Sequence, residues 1–314
     1  MWIETYTSLF ANCEYQHVIF APPHEFLDYF RIGRKRYFNC LYSVVNQTLT
    51  DWSTSTKTKP FYLPGFMVVM HTFGRSLSWH VHIHVLITCG GLNKQQNAWV
   101  MCPFIPHLFL KAHFKQHFLA AIQKLWDNEN CEKLPQPLRV RFTPAYQENI
   151  VAEVSKKTWF VDVGQRLTDA KAVVKYIGRY TKRPAIAESK ILAYDGENVT
   201  FTYQEHRMTK PALLKLPALS FIERVILHIP DVNFRVIRYG GFYSNRLRGK
   251  LLPLVFRLCN NKEGYDEVKQ KLSHLGSWWR KRIERFTQLD PLICELCLIP
   301  LKLISIAYYS NRYG

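Results

Sequence analysis

Residues 79–88 have the sequence WHVHIHVLIT, in which two kinds of side chain alternate strictly. This alternation predicts a β-strand with two different faces. One face carries His80, His82, His84 and Leu86, and the other carries Val81, Ile83, Val85 and Ile87. Two adjacent histidines, roughly 7 Å apart, can bind one metal ion, whereas the outer two, roughly 13 Å apart, cannot easily do so. The spacing leaves open which pair binds, and the alternative is core or surface histidines that hold no metal.

A second strand is predicted just before the first. Residues 65–73 have the sequence GFMVVMHTF, and residues 74–78, GRSLS, have the composition of a turn. The two strands therefore form an antiparallel hairpin. In that hairpin His71 can lie across from the histidine pair, which makes it the candidate third ligand; the alternative is a buried, hydrogen-bonded histidine.

The rest of the chain predicts an α+β fold in which helices flank a central antiparallel sheet. Further strands are predicted at residues 15–21, 138–142, 158–163 and 198–203, and helices at 24–52 with a break at Gly33, at 106–126 and at 221–229. His113 and His117 are four residues apart on a predicted helix, a spacing that can bind metal. Because no acidic residue lies between them, a structural role is the better interpretation.

The charge of the chain points to a polyanionic partner. Lysine and arginine exceed aspartate and glutamate by 18 over 314 residues, which favours nucleic acid first and an anionic membrane surface second. Aromatic residues make up 14% of the chain, and single-stranded nucleic acid is bound by such a mixture of basic and aromatic side chains. Residues 234–248 concentrate both kinds, so Arg235, Arg238, Arg246 and Arg248 are predicted to face DNA; an ordinary solvated surface is the alternative.

Cysteine usage and the chain termini predict a cytoplasmic protein. The eight cysteines are scattered and form no dense disulfide framework, which is typical of a reducing compartment. No secretory signal is visible at the N-terminus. The apolar tail at residues 292–309 is interrupted by Glu295, Pro300 and Lys302, so we expect a buried element there and no membrane span.

Two tyrosines lie four residues apart on a predicted helix at residues 170–180. Thr168 is a plausible N-cap, and Tyr176 and Tyr180 project from one helix face. Alone, such a pair indicates packing, but beside a histidine metal site it suggests two covalent nucleophiles. Arg179, Lys182 and Arg183 flank the pair and can neutralise phosphates.

These motifs resemble a known family. The segment 82–84 resembles the His-hydrophobe-His motif of the HUH single-strand endonucleases, and the segment 176–183, YIGRYTKR, resembles the tyrosine motif of the two-tyrosine, rolling-circle transposases of bacterial insertion sequences. Five further segments look like that family in the same order, at residues 71–75, 90–91, 184–189, 238–241 and 290–297. The ordered combination is more specific than any one of these motifs.

The resemblance implies an HUH-type catalytic core with His82 and His84 as ligands of Mg²⁺ or Mn²⁺ and with Tyr176 and Tyr180 as nucleophiles. It implies nicking and strand transfer on single-stranded DNA, at element ends and target, through a 5′-phosphotyrosine. It further implies a bacterial, nucleoid-associated protein for which host replication proteins are candidate partners. The oligomeric state stays open.

The resemblance also suggests a domain division. We expect a catalytic domain at residues 1–205 and a smaller, mainly helical, basic DNA-binding region at residues 206–314. Relatives carry a cysteine-rich, zinc-binding segment before the first strand, and this chain begins too close to that strand for one. Cys294 and Cys297 form a CxxC, which is half of a structural Zn²⁺ site.

Two other functions remain open at this point. One is an HUH replication initiator or relaxase-like nickase, which would use the same chemistry at a replication origin. The other is a non-catalytic single-stranded DNA-binding protein, for which basic charge and aromatic residues suffice.

Overall fold

The computed structural model describes residues 10–55, 60–102, 105–129, 136–168, 178, 185–204, 211–259, 284, 288–290, 292–294 and 299–300. The chain divides into two compact units, Met1–Asn261 and Lys262–Gly314. The division predicted at residue 205 stays a prediction. In the second unit, the described residues include a single antiparallel bridge between Ile293 and Pro300.

The first unit is built on a central antiparallel sheet. Its strands are β1 (Tyr15–Ala21), β2 (Leu63–Phe73), β3 (Trp79–Leu92), β4 (Trp99–Met101), β5 (Phe160–Leu167) and β9 (Ile237–Gly241). The order is β5-β1-β3-β2-β9, and β4 pairs with the end of β3. The mixture of this antiparallel sheet with helices confirms the predicted α+β class.

The described helices are α1 (Leu27–Ile32), α2 (Arg34–Thr54), α3 (His107–Asp127), α4 (Gln136–Arg139), α5 (Pro144–Lys156), α6 (Ala218–Leu227) and α7 (Arg248–Leu258). Residues of α1, α2, α3 and α5 form the core on one face of the central sheet. Side chains of α1, α2 and α3 pack with the aliphatic face of β3, where Val81, Ile83, Val85 and Ile87 are fully buried. The strict alternation of β3 therefore places the histidines on the opposite face, away from these helices.

A second, smaller sheet lies at the turn of the β2–β3 hairpin. It consists of β6 (Ile191–Tyr194), β7 (Asn198–Tyr203) and β8 (Ala212–Pro217), in that order. Its core contains Val199, Phe201 and, from α6, Phe221. Leu77, from the hairpin turn, is buried in the same cluster, so the small sheet holds the end of the hairpin.

The prediction of a strand at residues 138–142 is wrong. These residues form the end of α4 and a 3-10 turn at Val140–Phe142. The sequence LRVRF alternates as a strand does, but Pro137 lies in the first turn of a helix, where proline is well tolerated. Phe142 packs against the ring of Tyr29, and this tertiary contact accounts for its burial without a sheet partner.

Helix α5 was missed by the sequence interpretation. Pro144 occupies its first turn, and its buried residues Gln147, Ile150 and Val154 form one narrow stripe.

In the described part of the chain, no helix has both the length and the apolar character needed to cross a bilayer.

Candidate metal centre

Three histidines converge on the face of the sheet opposite to α1, α2 and α3. His71 on β2 is the direct register partner of His82 on β3, and Val69 is the partner of His84. His71, His82 and His84 each offer a ring nitrogen, and these atoms all lie within 4.8 Å of one another. The hairpin predicted from the sequence thus brings His71 to the histidine pair, as expected. Within the described residues, these three form the one cluster suited to a metal ion.

His80 lies at the rim of this cluster and acts through its backbone. Its side chain is exposed, and its carbonyl oxygen lies 3.0 Å from Nδ1 of His82. A carbonyl oxygen can only accept, so Nδ1 of His82 must carry the proton. In a neutral imidazole the other nitrogen, Nε2, then keeps its lone pair, which is what a metal ligand requires.

The environment keeps the histidines uncharged. Burial is the main reason that the pKa of His82 falls to about 3, and the neighbouring His71 lowers it further. Burial lowers the pKa of His84 even more strongly, and His71, His82 and His17 lower it further. At neutral pH both imidazoles are therefore neutral, which is the form that binds a metal ion.

A fourth histidine supports the cluster and was missed in the sequence. His17 on β1 shares the face of His84, and its Nε2 lies 2.9 Å from Nδ1 of His84 in a hydrogen bond. The two rings are stacked, with centroids 5.1 Å apart and planes 12° apart. The segment YQHVIFA predicts a strand, but nothing in it reveals that this strand is the neighbour of β3.

The donor set fits a divalent transition metal. Three neutral imidazole nitrogens suit ions such as Mn²⁺ or Zn²⁺ better than Mg²⁺, which prefers oxygen ligands. The fixed tautomer of His82 and the hydrogen bond between His17 and His84 are the kind of outer-shell support that metal-binding histidines have. His71, His82 and His84 are therefore the residues that would hold the ion.

A further histidine anchors the hairpin that carries the cluster. His228, at the end of α6, is hydrogen-bonded through Nδ1 to the hydroxyl of Thr72 and through Nε2 to the carbonyl of Leu77, both at 3.2 Å. Its ring also stacks on Trp79, with centroids 6.0 Å apart. These contacts hold both ends of the turn that joins His71 to the histidine strand.

Comparison with known proteins identifies the family. Residues 65–250, more than half of the chain, match the family model Y2_Tnp, whose description is "Putative transposase". This chain belongs to the Y2_Tnp transposase family. The matched range includes the histidine cluster and the hairpin that carries it. The membership confirms the resemblance to transposases of insertion sequences.

Two curated relatives extend the match over most of this transposase. It is 27% identical over 299 residues to the "Transposase for insertion sequence element IS801" of Pseudomonas savastanoi pv. phaseolicola, covering 94% of this chain and 68% of the relative. It is 24% identical over 300 residues to "Putative transposase y4qJ" of Sinorhizobium fredii, covering 94% of this chain and 74% of the relative. No solved structure gives a significant match.

The basic residues of the segment 234–248 differ in their surroundings in this Y2_Tnp transposase. Arg238 pairs with Val68 across β9 and β2, so it lies on the helix face of the sheet, opposite to the histidines. Its guanidinium carbon lies 3.9 Å from the ring centroid of Tyr42. Arg235, Arg246 and Arg248 are exposed. The DNA-binding role of all four stays a prediction.

Several predicted site residues of the transposase lie outside the described residues. They are the tyrosines Tyr176 and Tyr180, the flanking basic residues Arg179, Lys182 and Arg183, and Cys297 of the CxxC. Gly178, between the two tyrosines, is helical. Cys294 is described, and its amide donates to the carbonyl of Ile299 at 3.1 Å. The suggested zinc site therefore stays a prediction.

Proposed function

We propose that this protein is a DNA transposase that nicks single-stranded DNA and transfers strands through a 5′-phosphotyrosine, in rolling-circle-type transposition. The observation that carries the proposal is the convergence of His71, His82 and His84, in a member of a transposase family, on the face of the sheet opposite to the helical core. A divalent ion held there would polarise a phosphodiester and offset the charge that develops on its oxygens.

The tyrosines would act as the nucleophiles. Both lie within the range that matches the transposase family, and they follow β5, whose neighbour β1 pairs with the histidine strand β3. Each phenol would attack a phosphate held at the histidine cluster.

The chemistry conserves the energy of the phosphodiester. The phenol oxygen of Tyr176 or Tyr180 attacks phosphorus and forms a P–O bond, the bond from phosphorus to the 3′ oxygen breaks, and that oxygen takes up a proton as the phenol loses one. A free 3′-hydroxyl of another strand then attacks the phosphotyrosine and regenerates the phenol, so strand joining needs no ATP. Two tyrosines allow two such exchanges in sequence.

The charge of the chain supports DNA as the substrate, and its aromatic content of 14% favours a single strand. Lysine and arginine exceed the acidic residues by 18, and basic side chains that bind phosphates release counterions from the DNA. This release drives non-specific binding. Arg179, Lys182 and Arg183 flank the tyrosines in the sequence and are the proposed contacts to the scissile region. We propose the element ends and the target as its DNA partners, the bacterial nucleoid as its location, and host replication proteins as further partners.

The test is a covalent-adduct assay. Labelled single-stranded oligonucleotides that tile the DNA on either side of the gene are incubated with protein in Mn²⁺ or Mg²⁺ and separated under denaturing conditions. We expect a protein–DNA adduct that disappears when the metal is chelated and returns when it is restored. The Tyr176→Phe, Tyr180→Phe double variant should form none.

The control is Tyr194→Phe, because the exposed phenol of Tyr194 donates only within its own turn, to the carbonyl of Gly196. This variant should form the adduct as the wild type does. An adduct that persists in the double tyrosine variant contradicts the proposal. No adduct from the wild type, together with tight DNA binding, would favour the non-catalytic binding protein. The match to insertion-sequence transposases favours element ends over a replication origin, and a transposition assay separates the two.

A further inference from the structure

His17 contributes to the histidine cluster without being one of its three converging members. It lies on β1 with its ring stacked on that of His84, and the hydrogen bond between Nε2 of His17 and Nδ1 of His84 is 2.9 Å long. β1 and β3 are adjacent strands, with Ile19 directly opposite His84. The contact is therefore fixed by the register of the central sheet.

The direction of this hydrogen bond decides whether His84 can bind a metal. Because Nδ1 of His84 is engaged by His17, Nε2 is the nitrogen with which His84 would bind an ion. Nε2 can donate its lone pair to a metal only when the proton of the neutral ring is on Nδ1. His84 must then donate to Nε2 of His17, and His17 must carry its own proton on Nδ1.

The surroundings of His17 favour that arrangement. Asp162 on β5 is the register partner of Ile19, so it lies on the same face of the sheet as His17, where a carboxylate attracts a ring N–H. Gly164, also on β5, makes room for the ring: a Cβ at that position would lie 3.2 Å from Nδ1 of His17. The neighbouring strand β5 thus leaves room on the Nδ1 side of the His17 imidazole.

We propose that His17 is a positioning residue that fixes the ring orientation and the tautomer of His84 for a divalent metal ion. The inference rests on the proposed function, because it assumes that the cluster binds metal. Outer-shell partners of this kind typically contribute about 10- to 100-fold to metal affinity.

Two substitutions separate the hydrogen bond from the packing. His17→Phe keeps a stacked ring but removes the acceptor, so we expect the affinity for Mn²⁺, measured by calorimetry, to fall about 10- to 100-fold. His17→Gln keeps an acceptor at nearly the position of Nε2, and it should restore most of the affinity. A purely structural role would give the opposite order, because Phe preserves the aromatic packing better than Gln does.

A second measurement does not involve metal at all. In the metal-free protein, long-range ¹H–¹⁵N spectra of the histidines report which ring nitrogen carries the proton. We expect the wild type to show His84 protonated on Nδ1, and His17→Phe to show a mixture of tautomers. His84 protonated on Nε2 in the wild type would overturn the inference.

His113→Phe is the matched control. His113 is also a partly buried histidine that stacks on an aromatic ring, Phe109, but it lies on α3 and not on the histidine face. Its replacement should leave the Mn²⁺ affinity unchanged. If the wild type binds Mn²⁺ and His17→Phe binds it equally well, this inference fails while the metal centre stands. If the wild type binds no metal, both this inference and the metal-dependent function fail.

Discussion

His71 and His82 face each other across the β2–β3 ladder as direct register partners, with their rings edge to face and centroids 5.4 Å apart. The ladder shifts its register just beyond this pair, between His71 and Phe73, where the hairpin approaches its turn. A slip of one residue would turn His71 to the helix face. The hairpin register is therefore what brings a third imidazole to the pair on β3.

Removal of His71 should abolish tight metal binding. His71→Ala removes one of three converging nitrogens and should lower the Mn²⁺ affinity by more than roughly 100-fold. Loss of a residue that only hydrogen-bonds to a ligand typically lowers metal affinity by about 10- to 100-fold. His80→Ala is the control, because His80 is not one of the three converging histidines and the substitution keeps its backbone carbonyl, which accepts from His82. Calorimetric titration of both variants measures the difference. Equal affinities in the two variants would remove His71 from the ligand set.

The same site should discriminate between Mn²⁺ and Mg²⁺. Nitrogen donors suit Mn²⁺ better than Mg²⁺, which holds on to oxygen ligands and water. We expect Mn²⁺ to bind more tightly in a direct competition and to support adduct formation at lower concentration. Equal binding of the two ions would indicate that oxygen ligands dominate the site.

The metal-free protein should lose stability in acid. Burial lowers the pKa of His17 to about 4 and that of His82 to about 3, from 6.5. Between pH 6.5 and about pH 4 the unfolded chain thus binds more protons than the folded one, so the free energy of unfolding falls as the pH falls. Denaturant unfolding at pH 7, 6, 5 and 4 measures this slope. The His17→Gln, His82→Gln double variant should have a flatter profile, and an unchanged slope would contradict the assignment.

The glycine pair that ends β9 should not tolerate side chains. Gly241 has a left-handed backbone with φ of 58°, and a Cβ there would lie 1.7 Å from the carbonyl oxygen of Pro64. Gly241→Ala should therefore lower the free energy of unfolding by more than the roughly 1–2 kcal/mol that a left-handed backbone alone costs a residue with a side chain. Gly249→Ala is the control, because nothing lies within 4 Å of its Cβ position and Gly249 is in helix α7. Its free energy of unfolding should change by less than about 1 kcal/mol.

Substitution of Arg238 should affect stability, whereas substitution of Arg246 should affect DNA binding. Arg238 stacks on Tyr42 and hydrogen-bonds Asn39, so Arg238→Ala should lower the free energy of unfolding by about 1–2 kcal/mol. Arg246 is exposed, so Arg246→Ala should change stability by less than about 0.5 kcal/mol. If Arg246 contacts a phosphate, its removal should reduce the slope of log affinity against log salt concentration for single-stranded DNA by about 0.7. An unchanged melting temperature for Arg238→Ala would contradict the stacking role.

The hairpin and its histidines were predictable because their signals are local. Alternation over residues 79–88 fixes which side chains share a face, and the short turn at residues 74–78 fixes which strand lies beside it. The structure has both strands, and it has His71 opposite His82. The strand wrongly predicted at residues 138–142 shows the limit of such signals, because five alternating residues carry no information about what Phe142 packs against.

The sequence by itself determined the α+β class, the two faces of the histidine strand and the position of His71, since each follows from side-chain periodicity over a few neighbouring residues. Only the tertiary structure decided that β1 lies next to β3, that His17 is hydrogen-bonded to His84 and that Arg238 points to the helix face. These relationships join residues from 67 to nearly 200 positions apart in the chain. They depend on how strands pair and which face each helix covers, and local periodicity specifies neither.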